Sequence, residues 1–272
     1  LDFDFFEVLD SVTIARSRKH IKKYYNTAEI GKFPERLKPI SKRPNLTELN
    51  SAINYNQIYE QLMLLSLCIY TPSNYIFPSK LEKYIDMSHH KGTNLTQLGR
   101  EQGIQHLMSI NLLKRLESSV YSFDLTLKRI YELIKETLKT IDEYEKNGET
   151  TLDIYDVSES EFDIEDSNSD LFTVGNKVKI SLEDMDYKTW RNELQKDADT
   201  LELLLLMMEE ITPEHDAKLQ TLFSILDEKM AHPINKGNKK VLIFSAFSDT
   251  AEYLYENVST FMQDKYGLNT AV

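Results

Sequence analysis

Cysteine, long apolar runs and a signal peptide are scarce or absent in this 272-residue sequence, and each points away from a class of protein. There is one cysteine, Cys68, so a disulfide framework cannot form, and its apolar neighbours predict a buried thiol. Apolar runs such as Leu203–Met208 are far shorter than the roughly 20 residues that span a bilayer. No signal peptide is visible in the given sequence. These features predict a soluble, cytoplasmic protein with no membrane partner.

The sequence also lacks the short motifs that mark common enzymes. The patterns GxxxxGK[ST], GxGxxG and GxSxG do not occur. Six histidines are scattered, and the adjacent pair His89 and His90 lacks the spacing of metal ligands. Carboxylates are numerous, but nothing singles out a catalytic pair. The residues alone therefore predict no catalytic residue, bound cofactor or metal in this chain.

The acidic total hides two regions of opposite charge. The formal net charge is −12 at pH 7, which by itself argues against binding nucleic acid. From Ile14 to Arg43, however, ten lysines and arginines accompany only two acids. From Asp142 to Asp170, twelve acids accompany one base. We expect the N-terminal segment to suit phosphate, and the acidic segment at about 145–175 to be a mobile excursion or an arm that covers a basic surface.

Helical periodicity dominates the rest of the chain. Asp4 and Glu7 have the spacing of a capping box, and Pro213 suits the first turn of a helix. The predicted helices cover about 4–25, 47–71, 79–87, 97–144, 186–211 and 213–230. The predicted fold class is therefore mostly α, built on long antiparallel helices.

The longest helical signal extends from about Gln97 to Tyr144, with Gly103 as a weak point. Its apolar residues follow a 4-3-4-3-4 spacing, which is typical of two helices packed at a shallow angle. They are Leu116, Val120, Phe123, Leu127, Ile130 and Ile134. The predicted partner is the helix at Asp186–Ile211, whose run Leu201–Met208 is interpreted as core.

The segment Lys239–Leu254, KKVLIFSAFSDTAEYL, has a different pattern. Its apolar run Val241–Phe247 is typical of a strand that is covered on both faces, as in parallel sheets. Ser248 or Asp249 can then cap a helix. The sequence thus predicts that the helical region ends in the first strand and helix of an α/β layer, and we expect the chain to be part of a longer protein.

Three stretches together resemble Swi/Snf-like superfamily-two helicases of bacteria. VTIARSRKHIKKYY at 12–25 is similar to the segment after their first motor lobe, although alanine stands at Ala15 where an arginine is common. LLKRLESSVYSF at 112–123 is similar to a run in bacterial members. The segment at 239–254 is similar to the strand and loop that open their second RecA-like lobe, the conventional motif IV.

The resemblance implies a domain organisation and a function. It implies a basic helix and linker at 1–45, a helical insertion at 46–232 and the truncated start of a second RecA-like lobe at 233–272. The parent protein would use ATP and Mg²⁺ to move along duplex DNA, and this region would brace its motor lobes without hydrolysing ATP itself. The motor motifs that bind the nucleotide would lie outside this chain.

The resemblance and the charge pattern together select candidate residues for contact with nucleic acid. The basic helix supplies Arg16, Arg18, Lys19, Lys22 and Lys23, which suit the phosphate backbone. The end of the predicted strand supplies Ser245, Phe247 and Ser248, because that edge of an open α/β sheet faces the ligand crevice.

Two alternatives stay open. The basic residues, and likewise Lys114 and Arg115 with Glu117, can be an ordinary solvated helix surface with local charge pairing. The whole chain can also be a helical scaffold or protein-interaction module with no nucleic-acid role, which dimerises through the 116–134 seam.

Overall fold

The structure, a computed structural model, describes residues 21, 23–26, 38–49, 53–85, 97–148, 151–153, 179–234 and 236–272. The chain divides into two compact units, Leu1–Lys42 and Arg43–Val272. In the first unit, Ile21, Lys23 and Tyr24 are helical, and most of the helix predicted at 4–25 lies outside the described residues. The second unit carries the elements that follow.

The described part of the second unit is mostly helical, as predicted. The helices are α1 (Tyr55–Leu62), α2 (Leu81–Ile85), α3 (Gln97–Ser118), α4 (Val120–Asn147), α5 (Tyr187–Glu209), α6 (Ala217–Ala231) and α7 (Ser248–Tyr266). Short 3-10 turns lie at Cys68–Tyr70, Pro72–Tyr75, Pro78–Lys80 and Leu182–Asp184. Two short strands, β1 (Thr151–Asp153) and β2 (Lys179–Ser181), pair antiparallel with Thr151 opposite Ser181.

Helices α4 and α5 form the centre of the fold, and this confirms the predicted seam. All six residues of the 4-3-4-3-4 series are buried, and the pattern continues to Leu138 and Ile141. The facing residues of α5 are also buried: Trp190, Leu194, Ala198, Leu201, Leu204 and Met208. The helices are antiparallel, since Asp142 near the end of α4 contacts Arg191 near the start of α5. Leu203 and Leu206, which were predicted as core, are exposed because they lie on the other face of α5.

The helix predicted from Gln97 to Tyr144 is two helices, and the break is at Ser119 instead of Gly103. Ser119 has an extended backbone, and its hydroxyl accepts a hydrogen bond from the Ser122 amide at 3.0 Å. A serine in this position is a strong helix N-cap, so it starts α4 as a new helix. A glycine only weakens a helix, and Gly103 remains helical within α3.

The helix predicted at 47–71 is much shorter. Asn54 caps α1 with a complete capping box, and α1 ends at Leu62. The chain then turns because the buried carboxylate of Asp197 accepts hydrogen bonds from the Ser66 and Cys68 amides, at 2.8 and 3.2 Å. This long-range contact overrides the local helical pattern. Cys68 is buried, as predicted.

The acidic segment begins in regular structure. Helix α4 continues to Asn147 and ends at Gly148, whose φ of 82° suits glycine. Strands β1 and β2 then flank the segment, so its start was predicted a few residues too early. Residues 149–150 and 154–178, where most of the predicted excursion falls, lie outside the described residues.

Helix α6 begins later than predicted. It starts at Ala217, because Asp216 accepts hydrogen bonds from the Lys218 and Leu219 amides and caps it. Pro213 lies in the turn that precedes the helix.

The predicted strand at Val241–Phe247 is not formed. The segment belongs to no strand, because no other part of the described chain pairs with it. Exposure nevertheless alternates along Val241, Leu242, Ile243 and Phe244, at 41, 83, 42 and 88%, with the period of two that is typical of a strand. The helix predicted after it is present as α7. A RecA-like lobe therefore stays a prediction.

Buried side chains form two separate hydrophobic clusters. The larger one includes the α4–α5 seam and extends to α1, α3 and the 3-10 turns. The smaller one joins α6 to α7 through Leu226, Met230, Val258 and Met262, with Phe223 stacked on Phe261. We call α3, α4 and α5 the helical bundle, and α6 and α7 the C-terminal helix pair.

Candidate interface between the helical bundle and the C-terminal helix pair

Arg115, on the last turn of α3, lies at the centre of the contact between these two parts. Its side chain is only 1% exposed. Its Nη1 donates to Asp249 Oδ2 of α7 at 2.7 Å and to Ser122 Oγ of α4 at 2.9 Å. One guanidinium thus joins three helices, which its planar set of donors makes possible.

The partner residues lie at the start of α7. The Asp249 carboxylate is in the first turn, where the helix dipole favours a negative charge. Its side chain is 12% exposed, and Nη1 of Arg129 approaches the same Oδ2 at 3.7 Å. The buried ring of Phe247 lies 4.7 Å from the Arg115 guanidinium and covers it. The ion pair is therefore shielded from water on at least one side.

Three hydroxyl groups lie beside the ion pair. Thr250 Oγ1 is 2.8 Å from Ser118 Oγ and 2.9 Å from Ser119 Oγ. Ser119 is the residue that caps α4, so the break between α3 and α4 is also the place where α7 is held. We call Arg115, Ser118, Ser119, Asp249 and Thr250 the Arg115 junction.

Two further polar contacts flank the junction. Lys218 of α6 donates from Nζ to the carbonyls of Glu117 and Ser118, at 2.5 and 2.9 Å, at the C-terminal end of α3. The Tyr253 hydroxyl donates to Asp216 Oδ2 at 3.0 Å. Burial, together with the negative charge of Asp216, raises the pKa of Tyr253 above its usual value. The ring of Tyr253 also stacks on Tyr121 of α4, with centroids 5.1 Å apart.

The structure separates the candidate nucleic-acid residues into different environments. Lys23 is exposed, with Nζ 4.9 Å from the centre of the Tyr24 ring. Ser245 is exposed, and its hydroxyl accepts a hydrogen bond from the Phe247 amide. Phe247 is buried at the Arg115 junction, and Ser248 begins α7 half-buried. Arg16, Arg18, Lys19 and Lys22 lie outside the described residues.

Arg115 was treated as a solvated surface residue in one of the sequence interpretations, and for this residue that interpretation is wrong. Lys114 and Glu117 are exposed, whereas Arg115 is buried. The signal was available: Arg115 lies three residues after Leu112 and seven after Met108, which are both buried. Asp249 could not be assigned as its partner, because 134 residues separate the two in sequence.

Neither the requirements of a metal site nor those of a membrane span are met by the described residues. Among them, no group of three or more histidine, cysteine, aspartate or glutamate side chains is arranged to hold a metal ion. The described helices also include none that is long and apolar enough to cross a membrane. The chemistry of the Arg115 junction is that of a structural contact: an ion pair, hydroxyl groups and a stacked aromatic ring.

Comparison with known proteins gives no match: no family model, curated protein or solved structure is significantly similar to this chain.

Proposed function

We propose that this chain is the inter-lobe helical region of an ATP-dependent DNA translocase of the Swi/Snf-like group. In this proposal it braces two motor lobes and contacts the DNA backbone, and it does not itself hydrolyse ATP. Its first unit supplies the positive charge for phosphate contacts, and its α7 region opens the second lobe.

One observation carries the proposal beyond the sequence resemblance. Two of the three similar stretches, 112–123 and 239–254, are far apart in sequence but in direct contact in the structure. Arg115, Ser118 and Ser119 of the first bind Asp249 and Thr250 of the second. A helical insertion that braces a motor lobe needs a contact of this kind at the point where the lobe begins.

In this proposal, the region does not bind ATP itself. The sequence has no phosphate-binding glycine loop, and the described residues include no cluster suited to Mg²⁺. In the proposal, ATP and Mg²⁺ are bound by motor lobes and not by this region.

A second candidate function is a helical scaffold that binds a protein partner. The exposed apolar side chains of Leu242 and Phe244 favour it, since an apolar surface of this kind suits contact with another chain. Dimerisation through the 116–134 seam does not, because α5 already covers that seam.

The test is ATP hydrolysis by the protein extended through both motor lobes, with and without duplex DNA. We expect duplex DNA to stimulate hydrolysis, and the pair Arg16→Glu and Arg18→Glu to reduce the stimulation by at least about tenfold at low salt. The matched control is Lys188→Glu with Lys196→Glu, which makes the same charge change on two exposed residues of α5.

The outcomes distinguish the translocase region from the helical scaffold. Stimulation that is lost in the Arg16 and Arg18 variant but kept in the control supports the translocase and places the basic helix on DNA. Hydrolysis that ignores nucleic acid, or no hydrolysis at all, overturns the proposal and leaves the scaffold.

A further inference from the structure

The C-terminal helix pair is attached to the helical bundle in a way that differs from the rest of the fold. The two hydrophobic clusters do not merge, since the larger one covers the bundle with α1 and the 3-10 turns and the smaller one lies between α6 and α7. The hydrogen bonds and ion pairs that join the two parts involve Arg115, Ser118, Ser119, Lys218, Asp249 and Thr250. Aromatic rings add to this polar set: Phe247 covers Arg115, and Tyr253 stacks on Tyr121.

A polar contact between two parts of a protein costs less to separate than an apolar one, because water can solvate the groups that it exposes. If α7 moves away, water can solvate Arg115, Asp249 and the three hydroxyl groups, which recovers part of the lost interaction. When the joint is closed, the hydrogen bonds fix one geometry, because their strength falls steeply with angle and distance. Such a joint is both specific and reversible.

We propose that the Arg115 junction is a latch that sets the docked position of the C-terminal helix pair on the helical bundle. Opening the latch frees α6 and α7 to move as one body, held together by their own apolar cluster. The latch itself is independent of the proposed translocase. Only one consequence rests on that function: in a motor, the latch transmits movement of the second lobe to the helical bundle.

Arg115 acts here as a positioning residue that works through Asp249 and Ser122. Removing its charge leaves Asp249 with Arg129 alone, at 3.7 Å and on a half-exposed side chain. Loss of one partner of a buried ion pair is strongly unfavourable, so we expect Arg115→Met to shift the docking equilibrium on the order of 100-fold toward the open form. Arg115→Lys keeps the charge but not the planar fork, so we expect an intermediate shift.

The experiment measures a distance between the two parts of the full chain. Spin labels are placed on Glu202→Cys of α5 and Glu256→Cys of α7, both exposed positions. The native Cys68 does not compete, because it is buried and burial raises its pKa to about 12. We expect one narrow distance distribution in the parent protein, a broad one in Arg115→Met, and a partial recovery in Arg115→Lys.

The matched control is Lys128→Met, which removes the exposed partner of an ion pair on α4. We expect it to keep the narrow distribution. Trp190 is the only tryptophan and lies buried in the bundle, so its fluorescence shows whether each variant still folds. If Arg115→Met does not fold, Thr250→Val tests the latch from the α7 side by removing one hydroxyl, and it too should broaden the distribution.

The latch is overturned if folded Arg115→Met, or folded Thr250→Val in its place, gives the same narrow distribution as the parent protein. That result leaves the proposed function untouched. Conversely, ATP hydrolysis that does not respond to DNA overturns the translocase while a broadened distribution still establishes the latch.

Discussion

The α4–α5 seam and the Arg115 junction hold the same unit together by different means. The seam is a long row of buried apolar side chains, with Phe123, Ile134 and Leu201 fully enclosed. The junction is a small group of charges and hydroxyls around one guanidinium. An apolar row is strong and tolerant of small shifts, whereas a polar contact is strong only in one geometry. The seam therefore provides stability, and the junction provides orientation.

Truncating the seam should have the largest effect on stability. Leu201→Ala removes a fully buried side chain from a close-packed core, so we expect it to lower the free energy of unfolding by about 3 to 4 kcal/mol. Urea denaturation followed by Trp190 fluorescence measures the change.

Leu203→Ala is the matched control for this prediction. Leu203 lies two residues away on the same helix but is 45% exposed, so the free energy of unfolding should fall by less than about 1 kcal/mol. Equal losses in the two variants would show that the seam is not the main source of stability.

Tyr253→Phe should have the next largest effect, beside the junction. It removes the hydroxyl that donates to the buried carboxylate of Asp216, so we expect a loss of about 2 kcal/mol in the free energy of unfolding. The pKa of Tyr253 is raised in the folded protein, so its contribution is complete below the unfolded value of 10.0 and declines as pH rises further.

Urea denaturation at pH 7 and at pH 11 measures both parts of this prediction. Tyr255→Phe is the control, because Tyr255 is exposed. A cost for Tyr253→Phe that grows between pH 7 and pH 11 would contradict the assigned hydrogen bond.

Asp184→Asn tests a separate polar cluster, formed by Asp184 with Lys80, Lys83 and Tyr84 away from the Arg115 junction. The buried Asp184 carboxylate binds Lys83 at 2.6 Å, Tyr84 at 2.7 Å and Lys80 at 3.2 Å. The bond to Lys83, followed by those to Tyr84 and Lys80, lowers its pKa from 3.8 to about 2, although burial acts in the opposite direction. Because both lysines are half-exposed to solvent, we expect the substitution to cost only about 1.5 kcal/mol at pH 7.

The sign of the pH dependence follows from the lowered pKa. The contribution of Asp184 is complete above pH 3.8 and is lost as pH falls through about 2. Unfolding free energies of the parent protein and Asp184→Asn, measured from pH 6 to pH 2, should therefore converge at the acidic end. Glu183→Gln, at an exposed neighbour, should show no such convergence, and a constant gap for Asp184→Asn would refute the assignment.

Asp124→Asn should have the smallest effect and so sharpen the contrast with Arg115. Asp124 pairs with Lys128 one turn later on α4, at 2.6 Å, and the lysine is exposed. We expect a loss of about 0.4 kcal/mol that disappears in 0.5 M salt. Urea denaturation at two salt concentrations measures it. A loss as large as that of Tyr253→Phe would mean that burial does not distinguish the ion pairs of this fold.

The seam was predictable because helical periodicity is a local property of the sequence. The 4-3 spacing from Leu116 to Ile134 identified its buried residues, and the predicted partner helix was correct. Helix boundaries were less predictable, since Ser119 divides α3 from α4 by a cap that competes with an otherwise continuous pattern. The turn after α1 depends on Asp197, which is more than 100 residues away.

Of the Arg115 junction, the sequence carried a signal for the burial of Arg115 but none for the identity of its partner. The spacing of Arg115 from Leu112 and Met108 carried a signal of burial that the surface interpretation missed, and its partner is on a helix that no local pattern connects to it. The strand predicted at Val241–Phe247 failed for a related reason. An apolar run indicates that a segment suits a sheet, but a strand forms only when another strand supplies its hydrogen bonds.

The exposed run Val241–Phe244 has a consequence for how this chain behaves in solution. Four consecutive exposed, uncharged and apolar residues of high strand propensity are the kind of segment that pairs with copies of itself. Lys239 and Lys240 directly precede the run and place two positive charges beside it. Charges in that position act as gatekeepers against aggregation. Repulsion between these lysines of two copies therefore opposes self-pairing of this run locally, and added salt weakens that repulsion.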